Sequence, residues 1–244
     1  CSVTDGTADS SQNVEIEPSG SINDLNITDT AVYSDSFSSV QVIYLTVSEG
    51  NSGENTDHTW EEVNANSRYY YDELGIDRYK CEAILQVGDE SGPLPGQFGY
   101  NVLTPNATVN IRGATSSRSS QKSYSIKIKK DKGSWDSQTI ILLNKHPYDE
   151  LRFKNKLSYD LMRDVPNMMS LKTQFVRLYV KDTTSSATSD KFVDYGLFTQ
   201  CEQINKTYLR NHGLDPNGQL YKANFFEFYR YEDAIVTTDD ENYD

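Results

Sequence analysis

The chain has 244 residues, a hydrophobic share of 36%, a net charge of −13 and a mean hydropathy of −0.67. That length allows one large domain or two small ones, and that hydropathy leaves much of the chain wet. No apolar run of about eighteen residues occurs, so the sequence holds no apolar membrane-spanning helix.

The charge is unevenly placed. No Lys or Arg precedes Arg68, and twelve acids lie before it. Six more acids follow Arg230, so the middle holds eighteen acids against all 23 bases. A mildly cationic centre between acidic ends disfavours general nucleic-acid binding, because the ends repel phosphate across a Debye length. A local anion site in the centre remains open.

Cys1 to Phe37 is Ser-, Thr-, Asn- and Asp-rich. Such a stretch buries too little surface to offset its ordering entropy, and it reads as a flexible acidic tether, 1–37. Its first residue is either a lipid-bearing cysteine of an exported protein or simply the point where the sequence starts. Residues 38–244 read as the folded domain.

VQVIYLTV (Val40 to Val47) is a β-branched run without a breaker, which predicts a strand. HTWEEVN predicts a short helix or turn, with Thr59 as cap and Glu61 and Glu62 in the first turn. Tyr79 to Val87 predicts a second strand, followed by Gly- and Pro-rich turn chemistry. ATVNIR and KSYSIKIKK predict strands three and four, and TIILLN strand five. The period then changes. DELRFKNKLSYDLMRDV fits a helix with Leu151, Phe153, Leu157, Leu161, Met162 and Val165 as its apolar side. Arg152, Lys156 and Asp160 form a neighbouring polar stripe, and Pro166 stops the helix. QFVRLYV and FVDYGLFTQCEQI predict a hairpin, and NKTYLRNHGL a short helix ending at Gly213. A short strand is expected in QLYKANFF, before an acidic end. Strands, a helix and more strands predict an α+β fold with a mainly antiparallel sheet.

Cys1, Cys81 and Cys201 stand far apart with no CxxC pair, which excludes a zinc ribbon. Cys81 and Cys201 are either two buried thiols or one disulfide. No HExxH, GxSxG, Walker or GxGxxG motif occurs. His58, His146 and His212 lack ligand spacing and read as surface or hydrogen-bonded histidines.

The stretch IRGATSSRSSQKSYSIKI (Ile111 to Ile128) concentrates a glycine, many hydroxyls and four cations in one strand-loop-strand. Gly113 permits a tight turn, and Thr115, Ser116 and Ser117 can donate to phosphate oxygens. Alternation sets Lys122 on the face of Tyr124 and Ile126, which points its ammonium inward beneath the loop. A buried ammonium needs an anionic partner. The stretch is either a solvated hairpin or an anion site.

Four segments in order, VNIRGATSSRSSQKSYSIKI, LRFKNKLSYDLMRD, YGLFTQCEQINKTYL and NGQLYKANFF, resemble the CotH family of spore-coat and secreted atypical protein kinases. The resemblance runs from roughly Val40 to Phe228. It implies an atypical protein-kinase-like fold and transfer of the γ-phosphoryl group of ATP, with Mg or Mn, to Ser or Thr of a coat or cell-surface protein. It implies that Gly113 to Ser117, with Ser116 and Ser117 as donors, covers the ATP phosphates and that Lys122 neutralises them as the catalytic cation. Asp160 or Glu202 would pair with Lys122, and Glu202 and Gln203 would lead into a hinge. Arg112, Arg152 and Asn155 match family positions. The family's acidic metal motif lies beyond the Leu-Tyr-Lys strand and is missing from this sequence, so the domain reads as incomplete at its C-terminus and no metal ligand is assigned. The alternatives are a non-catalytic surface or coat scaffold with the same fold, and a glycan-binding surface protein with its tyrosines on one exposed sheet face.

Overall fold

The computed structural model describes residue 33 and residues 39–166, 168–185 and 190–221. Eight strands form one mixed sheet: β1 (Val40–Ser48), β2 (Cys81–Asp89), β3 (Gly92–Pro93), β4 (Ala107–Arg112), β5 (Ser123–Ile128), β6 (Ile140–Asn144), β7 (Thr173–Asp182) and β8 (Val193–Cys201). Their order is β1-β7-β8-β6-β5-β4-β2-β3, and β1 also pairs with β2. That extra pairing closes seven strands into a ring, which removes the free edges that invite aggregation. β1 and β7 run parallel, and the other pairs are antiparallel.

The ring follows from alternation. In β4, Ala107, Val109 and Ile111 are buried, while the residues between them are half-exposed. Register carries the pattern across, because Val109 faces Ile126 and Ile126 faces Ile141. Ile43, Leu45, Leu85, Ile126, Ile141, Leu143 and Leu178 are fully buried in one cluster. Each such side chain contributes about 1.5–3 kcal/mol on leaving water.

Among the described residues, four α-helices decorate the ring: α1 (Trp60–Ala65), α2 (Arg68–Leu74), α3 (Lys154–Arg163) and α4 (Lys206–Asn211). α1 starts with a full capping box between Thr59 and Glu62. It brings Trp60 onto Tyr124, with ring centroids 5.2 Å apart, and Trp60 Nε1 donates to Tyr195 Oη at 3.0 Å. α4 is capped by Asn205, whose Oδ1 accepts from the amides of Thr207 and Tyr208. α2 has no counterpart in the sequence reading; its aromatic run lacks a helical apolar period and a side-chain cap.

Two expectations change. The helix expected over DELRFKNKLSYDLMRDV is shorter, and its apolar residues face outward: Leu157 is 44% and Leu161 59% exposed. Its buried residue is Lys156. Lys156 Nζ pairs with Asp160 at 3.0 Å and lies over the Phe175 ring, so the polar stripe is the side that meets β7. The i,i+4 pairing and the ring's negative face make that burial possible. The second change concerns the tether. Tyr33 is its only described residue; it is fully buried and its hydroxyl accepts from Gln200 Nε2 at 3.1 Å. At this position the chain belongs to the core. Cys1 and the expected QLYKANFF strand beyond Tyr221 lie outside the described residues. Cys81 and Cys201 are buried free thiols.

Candidate functional site

The β4–β5 connection is a pinned loop. Gly113 has φ +96, and a Cβ there would lie 2.2 Å from Ser116 Oγ, so only glycine fits. Thr115–Arg118 form a 3-10 turn. Buried Ser117 donates through Oγ to Ala114 O at 2.6 Å and accepts from the Arg68 amide at 2.9 Å. Lys122 is 8% exposed, and its Nζ donates to Ser117 O at 2.6 Å. On the other side, Arg78 donates through Nη1 to Ile111 O at 3.0 Å and through Nη2 to Gly113 O at 3.2 Å.

Lys122 therefore points under the loop, but it holds the loop's own carbonyl. Burial lowers the pKa of its ammonium below the usual lysine value. Neither expected partner reaches it. Asp160 is engaged by Lys156 at 3.0 Å and Arg163 at 2.7 Å. Buried Glu202 accepts from the Lys172 amide at 2.8 Å and sits 3.0 Å from His212 Nε2. Lys156 stands one helical turn before Asp160 and α4 carries His212 onto Glu202, so both carboxylates find nearer cations or donors than Lys122.

The unmatched cation is Arg112. It occupies the outward pleat position of β4, half-buried, and its Nη1 donates to Asn144 Oδ1. Asn144 Nδ2 in turn reaches Cys201 Sγ at 3.2 Å. Burial is the main influence on the guanidinium and lowers its pKa, and Arg78 adds a like charge nearby. Arg112 makes no ion pair among the described residues. It lines a cleft of about 440 Å³ with Arg78, Lys80, Asn110, Ser125 and Gln203. A second hollow of about 400 Å³ is lined by Ser116, Ser123, Asn144, His146 and Asn155. Asn144 lines this hollow and accepts from Arg112, which lines the first. Arg152, with φ +61, donates to Lys145 O at 2.7 Å and His146 O at 3.2 Å and so shapes this second hollow.

The fold thus brings Arg112 and Gln203 into one cleft, places Ser116 and Asn155 next to it, and leaves Lys122, Ser117 and Gly113 as loop architecture. Asp160 and Glu202 stand elsewhere. Arg78, Lys80 and Asn144 were missed. Arg78 sits in the connection GIDRYK, which has no period to expose its direction, and Lys80, inside the strand predicted from Tyr79, lies just before β2. Asn144 is the last residue of an apolar strand, and only its pairing in the sheet reveals its role.

A family model described as CotH kinase protein matches residues 109–244. The chain belongs to the CotH family. The match starts in β4 and takes in the pinned loop, Arg112, α3 and Gln203. β1, β2 and β3 precede it, although they are hydrogen-bonded into the same sheet. No curated protein matches the chain. No helix among the described residues is long and apolar enough to cross a membrane.

Proposed function

We propose that this CotH-family domain binds ATP in the Arg112 cleft and serves protein phosphorylation at Ser or Thr of a spore-coat or cell-surface protein. One observation carries the reading. Arg112 is half-buried beside a second cation, Arg78, and makes no ion pair among the described residues, in a cleft where three cations, Arg78, Lys80 and Arg112, face one carboxylate, Asp77. A desolvated cation without a partner is costly, and a phosphate oxygen is the natural counter-charge for a guanidinium fork. The cleft volume suits a nucleotide-sized ligand. In this reading Arg112 and Lys80 hold phosphate oxygens, Ser116 and Ser123 donate from the adjoining hollow, and the Gln203 amide contacts the base or sugar. Lys122 and Arg78 keep the loop in shape for that contact.

A divalent ion accompanies ATP in phosphoryl transfer and neutralises its charge. The described residues do not fit such an ion: the cleft offers one carboxylate, Asp77, and no cluster of three His, Cys, Asp or Glu side chains occurs among them. No step is therefore assigned to a metal.

The test is equilibrium binding of a fluorescent ATP analogue with Mg²⁺ or Mn²⁺. Arg112→Ala is expected to weaken binding at least about tenfold, the scale of one charge-assisted contact. Unchanged affinity would sink the assignment. The glycan reading finds no support here, because the exposed tyrosines among the described residues, Tyr69, Tyr70, Tyr100, Tyr148 and Tyr221, lie on α2 and in separate loops rather than on one sheet face.

A further inference from the structure

The outer face of β4 and β5 continues past the Arg112 cleft as a larger trough of about 790 Å³. The two hollows share Asp77, Lys80, Asn110 and Ser125, so they form one continuous channel. Four lysines line the trough, Lys80, Lys127, Lys129 and Lys130, against two carboxylates, Glu54 and Asp77. Lys129 is held by Glu82 at 2.6 Å and Glu54 at 3.9 Å. Lys80, Lys127 and Lys130 make no ion pair among the described residues. On a chain of net charge −13, three unpaired ammonium groups around one depression are a local reversal of sign. Between them lie the uncharged polar residues Thr108, Asn110 and Ser125, with Ile128 and Ile140 beside them.

The geometry points to a docking trough for an acidic, hydroxyl-bearing peptide, held with its Ser or Thr directed toward the Arg112 cleft. This rests on the phosphotransferase reading above and names its substrate class. The lysines supply point charges for spaced carboxylates, which steers association and sets register. The hydroxyl and amide side chains between them suit the N–H and C=O groups of an extended backbone. A uniformly charged polyanion fits less well, because Glu54 and Asp77 stand in the channel and would oppose a phosphate at every step. A peptide can set a neutral or basic residue opposite each of them.

The experiment uses the full chain and a fluorescein-labelled peptide of alternating Glu and Ser, read by anisotropy. The comparison variant is Lys127→Glu/Lys130→Glu, whose two positions are exposed and outside the nucleotide cleft. Binding is expected at low ionic strength, falling as salt shortens the Debye length. The double variant should bind at least about tenfold more weakly, since two exposed pairs become two repulsions. Its urea midpoint and its affinity for the ATP analogue should equal those of the parent. Absence of peptide binding, equal binding by the variant, or binding of inorganic polyphosphate but not the peptide would overturn the inference. Peptide binding without any nucleotide binding would instead overturn the phosphotransferase reading and leave the trough as a peptide site.

Discussion

The two faces of β4, β5 and β6 divide the labour of the molecule. On the inner face stand Val109, Ile111, Ile126, Ile141 and Leu143, each at or near zero exposure. On the outer face of the same strands stand Asn110, Arg112, Ser125, Lys127 and Asn144, all wholly or partly accessible. The backbone hydrogen bonds serve both faces equally, so the contrast lies in side chains alone. The inner face lowers the free energy of the fold. The outer face carries an unbalanced guanidinium and unpaired ammonium groups, which the inner face must outweigh. The lesson is that the period-2 pattern of a closed sheet separates stability from recognition residue by residue.

Changes on the two faces should separate the same way. Ile126→Ala, at the centre of the ring, should lower the unfolding free energy by about 4 kcal/mol through lost burial and a residual cavity. Its neighbour Ser125→Ala should move it by no more than about 0.5 kcal/mol. Urea titration of the two variants checks the contrast, and similar losses would mean that the faces are not distinct. Next in size, Asp160→Asn should cost about 3 kcal/mol, because it removes the carboxylate charge 3.0 Å from the ammonium of Lys156, which is 3% exposed. A much smaller loss would show that the other partners of that ammonium, Thr173 O and the Phe175 ring among them, suffice to hold it.

On the outer face the readout is affinity. Arg112→Ala should reduce binding of the ATP analogue by about ten- to a hundredfold, equivalent to about 1.4–2.8 kcal/mol. Lys122→Met should act differently, by releasing Ser117 O and loosening the loop. Its signature is faster amide exchange over Gly113 to Ser119, with a stability loss of about 1–2 kcal/mol. If Lys122→Met abolished nucleotide binding while loop exchange stayed slow, the catalytic role implied by family resemblance would return to Lys122.

Much of the ring was legible because its strands are unbroken β-branched or apolar runs, or alternate as ATVNIR does. Val40 to Val47, ATVNIR and TIILLN needed no tertiary information. The β1–β7 parallel pairing and the β1–β2 closure were not legible, since nothing local to β1 specifies a parallel partner more than a hundred residues away on one side and β2 on the other. α3 was found but turned the wrong way. Its apolar residues suggested a buried side, whereas Phe175 and Thr173 on another element favour Lys156. The site shows the same limit. Gly113, Ser116 and Arg112 announce themselves by type and spacing. Whether the charge in the cleft belongs to Lys122 or Arg112 depends on which carbonyl lies five residues back and on where Arg78 comes to rest. Partners distant in sequence decide such questions.

The smallest effect links the faces through Cys201. Burial first of all raises its thiol from the usual 9.0 to about 11, against the opposing pull of Arg112 and of the Asn144 hydrogen bond. A thiol that holds its proton more tightly when folded contributes stability that is complete below about pH 9. That contribution is lost as pH rises through about 11. Cys81, raised to about 12, acts in the same direction, whereas Lys145, lowered to about 8 by burial, opposes them between about pH 8 and its unfolded value. Comparing the parent with Cys201→Ala cancels those common terms. The stability advantage of the cysteine should shrink by on the order of 1 kcal/mol between pH 8 and pH 10. A constant gap would mean that Cys201 ionises no later in the fold than in the unfolded chain. Above about pH 9 the Asn144 amide would then face a thiolate, and Arg112 would have a counter-charge two hydrogen bonds away, so the imbalance on which the anion cleft depends would be lost in that alkaline range alone.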